Sequence, residues 1–452
     1  MTAGGEVTEM PTIETAAAGA LRGRFESARS RTERYFGLVR EGAFFSRPLA
    51  LRHPIVFYRG HLAAFAVNTL LKRALGRPGI REDFEILFER GIDPADQAAA
   101  VQASISAWPP RSEIEAYVAE ADVLLGKALA EIDAGHAGLP APALEAALMC
   151  LEHEKMHQET LLYILHRLPR SEKVVPAGLP PPVVGDAPPP EIVRVPGGRV
   201  TLGADRGEIA FGWDNEFPRA SADVAAFEID RYDVTNGEYL EFVEAGGYEN
   251  EKYWDADGWA WIRRDGVAHP LYWEREGNRW RWRGMFEDLD LPLSWPVYAS
   301  HAEAAAFARW RGRRLPTEAE FHRAAHGTSS GRERSFPWGE EPPDFTRANF
   351  DVYRHDPVPV GSFPAGESFW GIADLLGNGW EWTSTPFSGF PGFRASPLYP
   401  AYSADFFDGK HFVMKGGSPA TSPEFLRRSF RNWFQPHYPY PYATFRCAKD
   451  AA

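Results

Sequence analysis

The stretch APALEAALMCLEHEKMHQETLLYILHRL, residues 141–168, decides how the N-terminal half is built. Its apolar residues recur at helical spacing, and Pro142 near its start suits a first helical turn. His153 and His157 lie four apart, so a helix sets both imidazoles on one face. That stripe runs back through Cys150, Met149 and Ala146 and forward to Leu161 and Ile164. Being mostly apolar, it is expected to face a protein interior. Glu152, Lys155 and Glu159 project away from it and account for the charged look of the segment. Two inward imidazoles are costly to bury without partners. Hydrogen bonds can satisfy them, but a shared metal ion satisfies both rings together.

Three more segments carry helical periodicity: residues 19–42, residues 53–76 from Pro54 to Gly76, and residues 111–135 closed by Gly135. Four amphipathic helices predict a four-helix bundle, a fold that builds metal sites from facing side chains. A third ligand must then come from another helix. His61 is the best placed, mid-helix and sharing a stripe with Phe57, Tyr58, Phe65 and Asn68. His53 sits at a helix start and His166 several turns from the pair. Three neutral imidazoles with an open side suit zinc, iron, nickel or copper, and spacing does not choose among them. Glu159 has ligand chemistry but the wrong helical angle, so a supporting role is expected.

The chain of 452 residues is long enough for two or three domains. A net charge of −13 argues against nucleic-acid or anionic-membrane partners, which need a basic face. No apolar run reaches the length of a membrane span. The first residues are acidic and lack the layout of a signal peptide, so residues 1–18 read as a disordered lead. Two cysteines, Cys150 and Cys447, exclude a disulfide framework and a cysteine-based zinc cage, which makes the cytoplasm the expected location. Trp108 is the only tryptophan before residue 185; the other fourteen follow it. At that change of composition lies VVPAGLPPPVVGDAPPPEIVRVPGG, residues 174–198, whose prolines forbid helix and predict an extended linker. The division expected is a bundle over 19–168, a linker over 169–190 and a second domain over 191–452. In that second domain, residues 191–204 predict a β-hairpin turning at Gly197–Gly198. Residues 300–327 predict two helices, the second capped by Thr317 and Glu320.

The motifs themselves resemble a known family. HEKMHQE (His153 to Glu159) with an upstream GHLA (Gly60 to Ala63) is similar to the N-terminal domain of the ergothioneine-biosynthesis sulfoxide synthases. RLPTEAEFHRAA (Arg314 to Ala325), DLLGNGWEWTST (Asp374 to Thr385), VMKGGSPAT (Val413 to Thr421) and SFRNWF with FRCAKD (Ser429 to Phe434, Phe445 to Asp450) resemble markers of its second domain, in the same order. The resemblance implies a fold of α plus α+β: a DinB-like four-helix bundle, then a C-type-lectin-like domain of the formylglycine-generating type. It implies a mononuclear non-haem iron(II), Fe(II), held by His61, His153 and His157. With O2, that metal joins a thiol to the imidazole of Nα-trimethylhistidine (hercynine). Asn432 and Trp433 match the betaine-binding positions, and an aromatic face suits a quaternary ammonium. LYPAYSADFF (Leu398 to Phe407) resembles a family segment with two tyrosines three apart, and that resemblance implies Tyr399 as a proton donor and Tyr402 as a contact to imidazole or betaine. Cys447 alone argues against sulfatase activation, for which the formylglycine-generating enzymes need active-site cysteines.

One departure bears on the second substrate. Where the γ-glutamylcysteine-using type carries an acid after RNW, this chain has Phe434, followed by QPHYPYPY. An aromatic pocket of Phe434, His437, Tyr438 and Tyr440 suits a sugar, and residues 52–76 also resemble the selenoneine synthases and, in part, the ovothiol enzymes. The expectation is therefore a selenoneine synthase taking a selenosugar. The alternative is an ergothioneine-type enzyme using cysteine or γ-glutamylcysteine. A zinc or nickel thiol transferase and a non-catalytic lectin-like module are the contrasting classes. Arg81, Arg90 and Arg111 stand as further anion contacts or as plain surface arginines. The sequence leaves the oligomeric state open.

Overall fold

The computed structural model describes residues 20–89 and 107–451. The expected lead at 1–18 and Arg90 lie outside the described residues.

The N-terminal part is helical. Helices α1 (Leu21–Phe36), α2 (Ile55–Ala66), α4 (Arg111–Asp133) and α5 (Ala143–His166) pack together, with a short α3 (Glu82–Leu87) beside α2. Past Ala66, α2 continues as a π-helical segment, Val67–Ala74. Every side chain of α2 is buried. Its sequence carries only Arg59 and His61 as basic groups and no acid, so the helix has no polar face to offer water. Arg59 is held by Glu33 and Glu115, and buried Arg29 of α1 by Glu154 of α5 and by Asp122 of α4.

Helix α5 differs from its amphipathic reading. Glu152, Glu154 and Gln158 are as buried as the apolar stripe. Two neighbours cover these polar residues: α1 takes Glu154 through Arg29 and Thr32 and Gln158 through Ala28 and Thr32, and the second domain takes Glu152 and Glu159. Glu152 pairs with Arg427, and Glu159 reaches three donors of the second domain.

No helix or long strand forms between Lys173 and Glu191, as its prolines dictate. The second domain has four small sheets: β1 (Ile192–Val195), β4 (Phe227–Asp230) and β12 (Ala448–Asp450); β2 (Gly198–Leu202) with β3 (Ala220–Val224); β5 (Trp273–Glu276), β6 (Arg279–Arg283) and β7 (Asp288–Asp290); and β10 (Asn432–Phe434), β9 (Phe412–Gly417), β8 (Gly379–Pro386) and β11 (Ala443–Thr444) in that order. Helices α6 (Asn236–Glu244), α7 (Ala256–Asp265), α8 (His301–Trp310) and α9 (Glu318–His326) pack around them. The helices expected over 300–327 are α8 and α9, and Thr317 caps α9 through Glu320. The expected hairpin at 191–204 does not form. Strand β1 pairs with β4, and β2 with β3. The chain crosses between sheets at Pro196–Gly197, where the Arg323 guanidinium donates to both carbonyls.

The sequence markers of this domain are its buried ionic joints. Arg446 makes a two-pronged pair with Glu381 and also meets Asp233, all fully buried. Arg431 does the same with Glu318. Asn378, at φ 64°, uses its amide to hold both backbone groups of Val358. Removing one partner from such a pair strands the other in a dry interior, a loss of roughly 3–5 kcal/mol.

Candidate metal centre and substrate cavity

Helices α2 and α5 bring three imidazoles together. One ring nitrogen from each of His61, His153 and His157 lies within 4.8 Å of the others. The Nε2 atoms of His61 and His157 are 3.1 Å apart. His61 and His153 are buried and His157 nearly so. Aromatic rings fix two of them: Phe65 stacks on His153 at 3.4 Å and Phe57 on His61 at 4.8 Å between centroids.

Protonation is settled by burial. Desolvation lowers all three histidines, His61 to about 4, with its contact to Phe88 opposing the shift only in part. For His153 and His157 the neighbouring imidazoles push the same way. The rings are therefore neutral near pH 7. His61 Nδ1 is 2.7 Å from the Phe88 carbonyl oxygen, so Nδ1 carries the hydrogen and Nε2 presents its lone pair to the cluster. A backbone carbonyl behind the ring is the usual device for orienting a metal-bound histidine. The residues present thus fit a divalent transition metal: three neutral donors, converging, one already in the required tautomer.

The triad opens into a cavity of about 820 Å³ between the two domains. His61 and His157 line it from the bundle; Tyr399, Tyr402, Asn432, Trp433 and Phe434 line it from the second domain. Tyr399 meets Phe65 at 5.1 Å and His153 at 6.4 Å between ring centroids, while the buried Tyr58 of α2 meets His157 at 5.8 Å from the bundle side. Tyr402 stacks on Trp213 at 3.9 Å and donates to Met156 Sδ at 3.3 Å. Burial, reinforced by Asp214 and Glu216, holds its hydroxyl protonated. Trp433 stacks on Phe387 at 4.1 Å and meets the Tyr402 ring at 5.3 Å. Asn432 bends its side-chain oxygen to the Trp433 amide at 2.9 Å.

Other expected residues fall elsewhere. His437 does not line the cavity; it stacks on Trp261 at 5.1 Å. Tyr438 lies behind Phe434, parallel to it at 5.0 Å, and is buried. Arg81 and Arg111 form surface ion pairs with Asp83, Glu113 and Glu115. His166 is bound to Tyr442 and the Arg283 carbonyl. Glu159, the wrong-angle carboxylate, serves the second domain: Trp380 Nε1 (2.8 Å), Ser418 Oγ (2.6 Å) and Thr421 Oγ1 (2.8 Å) all donate to it. Arg52, Met156, Thr160 and Trp380 also line the cavity and were not singled out. Met156 and Thr160 follow their histidines by three positions, so helical spacing contained them. Arg52 lies before the helix and carries no spacing signal.

Comparison with known proteins agrees with this division. Residues 24–161 match the DinB superfamily, and residues 180–451 the sulfatase-modifying factor enzyme 1-like domain. The fold and site therefore define a two-domain protein in which a DinB bundle carries the imidazoles and the second domain closes the cavity. The chain is 37% identical over 356 residues to a hercynine oxygenase of Mycolicibacterium smegmatis, covering 77% of this chain and 80% of that one. It is 41% identical over 305 residues to a hercynine oxygenase of Mycobacterium tuberculosis, covering 67% and 71%. With ergothioneine biosynthesis protein 1 of Neurospora crassa it shares 30% over 491 residues, 89% of this chain and 54% of the other. The chain belongs to the ergothioneine-biosynthesis sulfoxide synthase family. Among the described residues, no helix is long and apolar enough to cross a membrane.

Proposed function

We propose that this protein is an ergothioneine-type sulfoxide synthase that joins the sulfur of cysteine or γ-glutamylcysteine to the imidazole of hercynine. The balance is one thiol, one imidazole C–H and one O2 giving the sulfoxide and one water. The carrying observation is a neutral three-histidine cluster on the wall of an aromatic cavity, in a chain so similar to hercynine oxygenases.

His61, His153 and His157 would hold iron(II), which when bound supplies the one-electron chemistry that dioxygen requires. The chain's residues do the rest. Trp433, Tyr402 and Trp380 offer ring faces to a trimethylammonium group, which has no N–H to donate. Asn432 adds a carbonyl dipole beside them. Tyr399, at the cavity wall beside Phe65, would supply a proton near the triad. Tyr402 is engaged with Met156 and Trp213 and orients the imidazole. The two domains bury the cavity's inner end and exclude water from it.

The relatives favour a thiol over the selenosugar expected from the sequence. One observation sustains the selenosugar as a second reading: Phe434 lines the cavity where an acid would bind a donor's ammonium group. Both readings meet in one experiment. Purified protein with iron(II), hercynine and O2 is offered cysteine, γ-glutamylcysteine or a selenosugar, following oxygen uptake and product mass. Thiol-dependent uptake with sulfoxide product is expected. Turnover with the selenosugar alone would replace the donor assignment. Tightly held zinc and no uptake with any donor would replace the whole reading by a thiol transferase.

A further inference from the structure

The two tyrosines of the cavity stand on a loop with little structure of its own. Strands β8 and β9 pair as far as Pro386 and Phe412. Between those residues the chain forms one short turn of 3-10 helix, Ala404–Phe406, and no strand or longer helix. Inside the loop, the Tyr399 N–H donates to the Ser396 carbonyl and the Tyr402 N–H to the Tyr399 carbonyl, each at 3.2 Å. Such local turns shape a loop but do not fix where it lies; side chains from a rigid scaffold must do that.

One carboxylate fastens this loop on both sides of the tyrosines. Asp214 is buried. Its Oδ2 accepts from the Ser396 N–H at 3.2 Å, and its Oδ1 accepts from the Ser403 hydroxyl. The Asn215 side-chain amide adds a bond to Ser403 Oγ at 3.0 Å. The neighbours of Asp214 tie the clamp to the rest of the site. Trp213 stacks on Tyr402 with planes 25° apart, and its indole N–H donates at 2.9 Å to Glu152, the residue before His153 on α5. Glu216 accepts from Arg427 and Ser429, on the chain that leads into β10. Trp213, Asp214, Asn215 and Glu216 do not themselves line the cavity, so they act on it through what they hold. Arg73, at the π-helical end of α2, also donates to the Leu398 carbonyl at 3.3 Å, but it is shared with Glu89 and partly exposed.

We propose that Asp214 is a positioning residue, a clamp that sets the 396–403 loop so that Tyr399 and Tyr402 stand at the cavity wall. The chemical roles of the tyrosines rest on the function proposed above; the clamp does not.

The test compares iron(II)-loaded wild type with Asp214→Ala, Asp214→Asn and Ser403→Ala, kept anaerobic, by hydrogen–deuterium exchange on peptides spanning 396–403. Alanine at 214 leaves the Ser396 N–H without its acceptor, so the loop should exchange roughly 10- to 100-fold faster, while peptides of α4 and β4 stay within about threefold. Asparagine keeps a carbonyl for Ser396 and an amide N–H for Ser403 Oγ, and should hold exchange within about threefold of wild type. Ser403→Ala frees one side and keeps the carboxylate, so it decides the matter if Asp214→Ala does not fold; a rise of roughly 3- to 10-fold is expected. Unchanged loop exchange in the folded variants, or loosening spread equally over α4 and β4, overturns the proposal. Turnover at saturating hercynine gives a second readout. Asp214→Ala should lower it about 10-fold in wild type but less than about threefold in Tyr399→Phe, because the clamp acts through the phenol already removed. Equal losses in both backgrounds would make Asp214 a general stabiliser and overturn its positioning role. A wild type that turns over no donor counts against the proposed function instead, and the exchange measurement then decides the clamp alone.

Discussion

Replacing Glu159 should loosen the joint between the two domains and disturb the cavity together. Its carboxylate accepts from Trp380 Nε1 and Ser418 Oγ on one oxygen and from Thr421 Oγ1 on the other, at 2.6–2.8 Å. In Glu159→Leu the two hydroxyls can turn to each other, since Thr421 Oγ1 already lies 3.2 Å from Ser418 Oγ. The Trp380 indole N–H has no such alternative. An orphaned buried donor costs about 1–3 kcal/mol, and losing charge-assisted bonds adds to it, while removing a buried carboxylate offsets part. The net expected is a loss of about 2–4 kcal/mol. Glu159→Gln keeps an oxygen for Trp380 and Ser418 and an NH2 that can donate to Thr421 Oγ1, so its loss should stay under about 1 kcal/mol. Thermal unfolding should therefore drop by on the order of 5 °C for leucine and hardly at all for glutamine. Because Glu159 and Trp380 both line the cavity, hercynine affinity should fall with leucine and hold with glutamine. Equal melting for all three proteins would refute the view that this carboxylate joins the domains. A glutamine variant as damaged as leucine would refute the hydrogen-bond arithmetic.

His157→Ala should leave two donors and abolish stoichiometric iron, measured by metal analysis after desalting, with melting of the apo-protein nearly unchanged; full iron retention would displace His157 from the ligand set. Tyr399→Phe should lower turnover by about 10²-fold or more while hercynine affinity changes little, the signature of a lost proton donor; an unchanged rate refutes that role. Asp374 gives a pH test. Burial raises it to about 6, with Glu381 adding to the effect and the Gly361 amide and Arg446 opposing it. Between its unfolded value near 4 and about 6, the folded protein binds the extra proton, so this group's contribution to stability falls as pH rises through that window. Asp374→Asn mimics the protonated form and should be more stable than wild type by up to ~3 kcal/mol above pH 6, with the difference vanishing toward pH 4. A gap that persists at pH 4 would sink the assignment.

Much of the metal centre was legible because it obeys helical periodicity. His153, His157, Met156 and Thr160 share spacing on one helix, and His61 sits mid-stripe on another. The parts that periodicity missed are those set by the second domain. Glu152 and Glu159 read as a solvated face because their partners, Arg427, Trp380, Ser418 and Thr421, lie more than two hundred residues downstream. The predicted hairpin at 191–204 failed for a related reason. Alternation and a Gly-Gly pair report strand and turn, but the partners these strands take, β4 and β3, and the Arg323 that binds the carbonyls between them all come from later in the chain. His437 and Tyr438 follow Trp433 closely in sequence, yet beyond β10 it is Gln435 and Pro441 that line the cavity, while His437 stacks on Trp261 and Tyr438 lies behind Phe434. Arg52 was overlooked because one arginine ahead of a proline has no period to betray it. The rings it lies over, Phe434 and Tyr438, come from the other end of the chain. The same physics governs all these cases: a helix face declares itself locally, whereas a cavity between domains is written in two places at once.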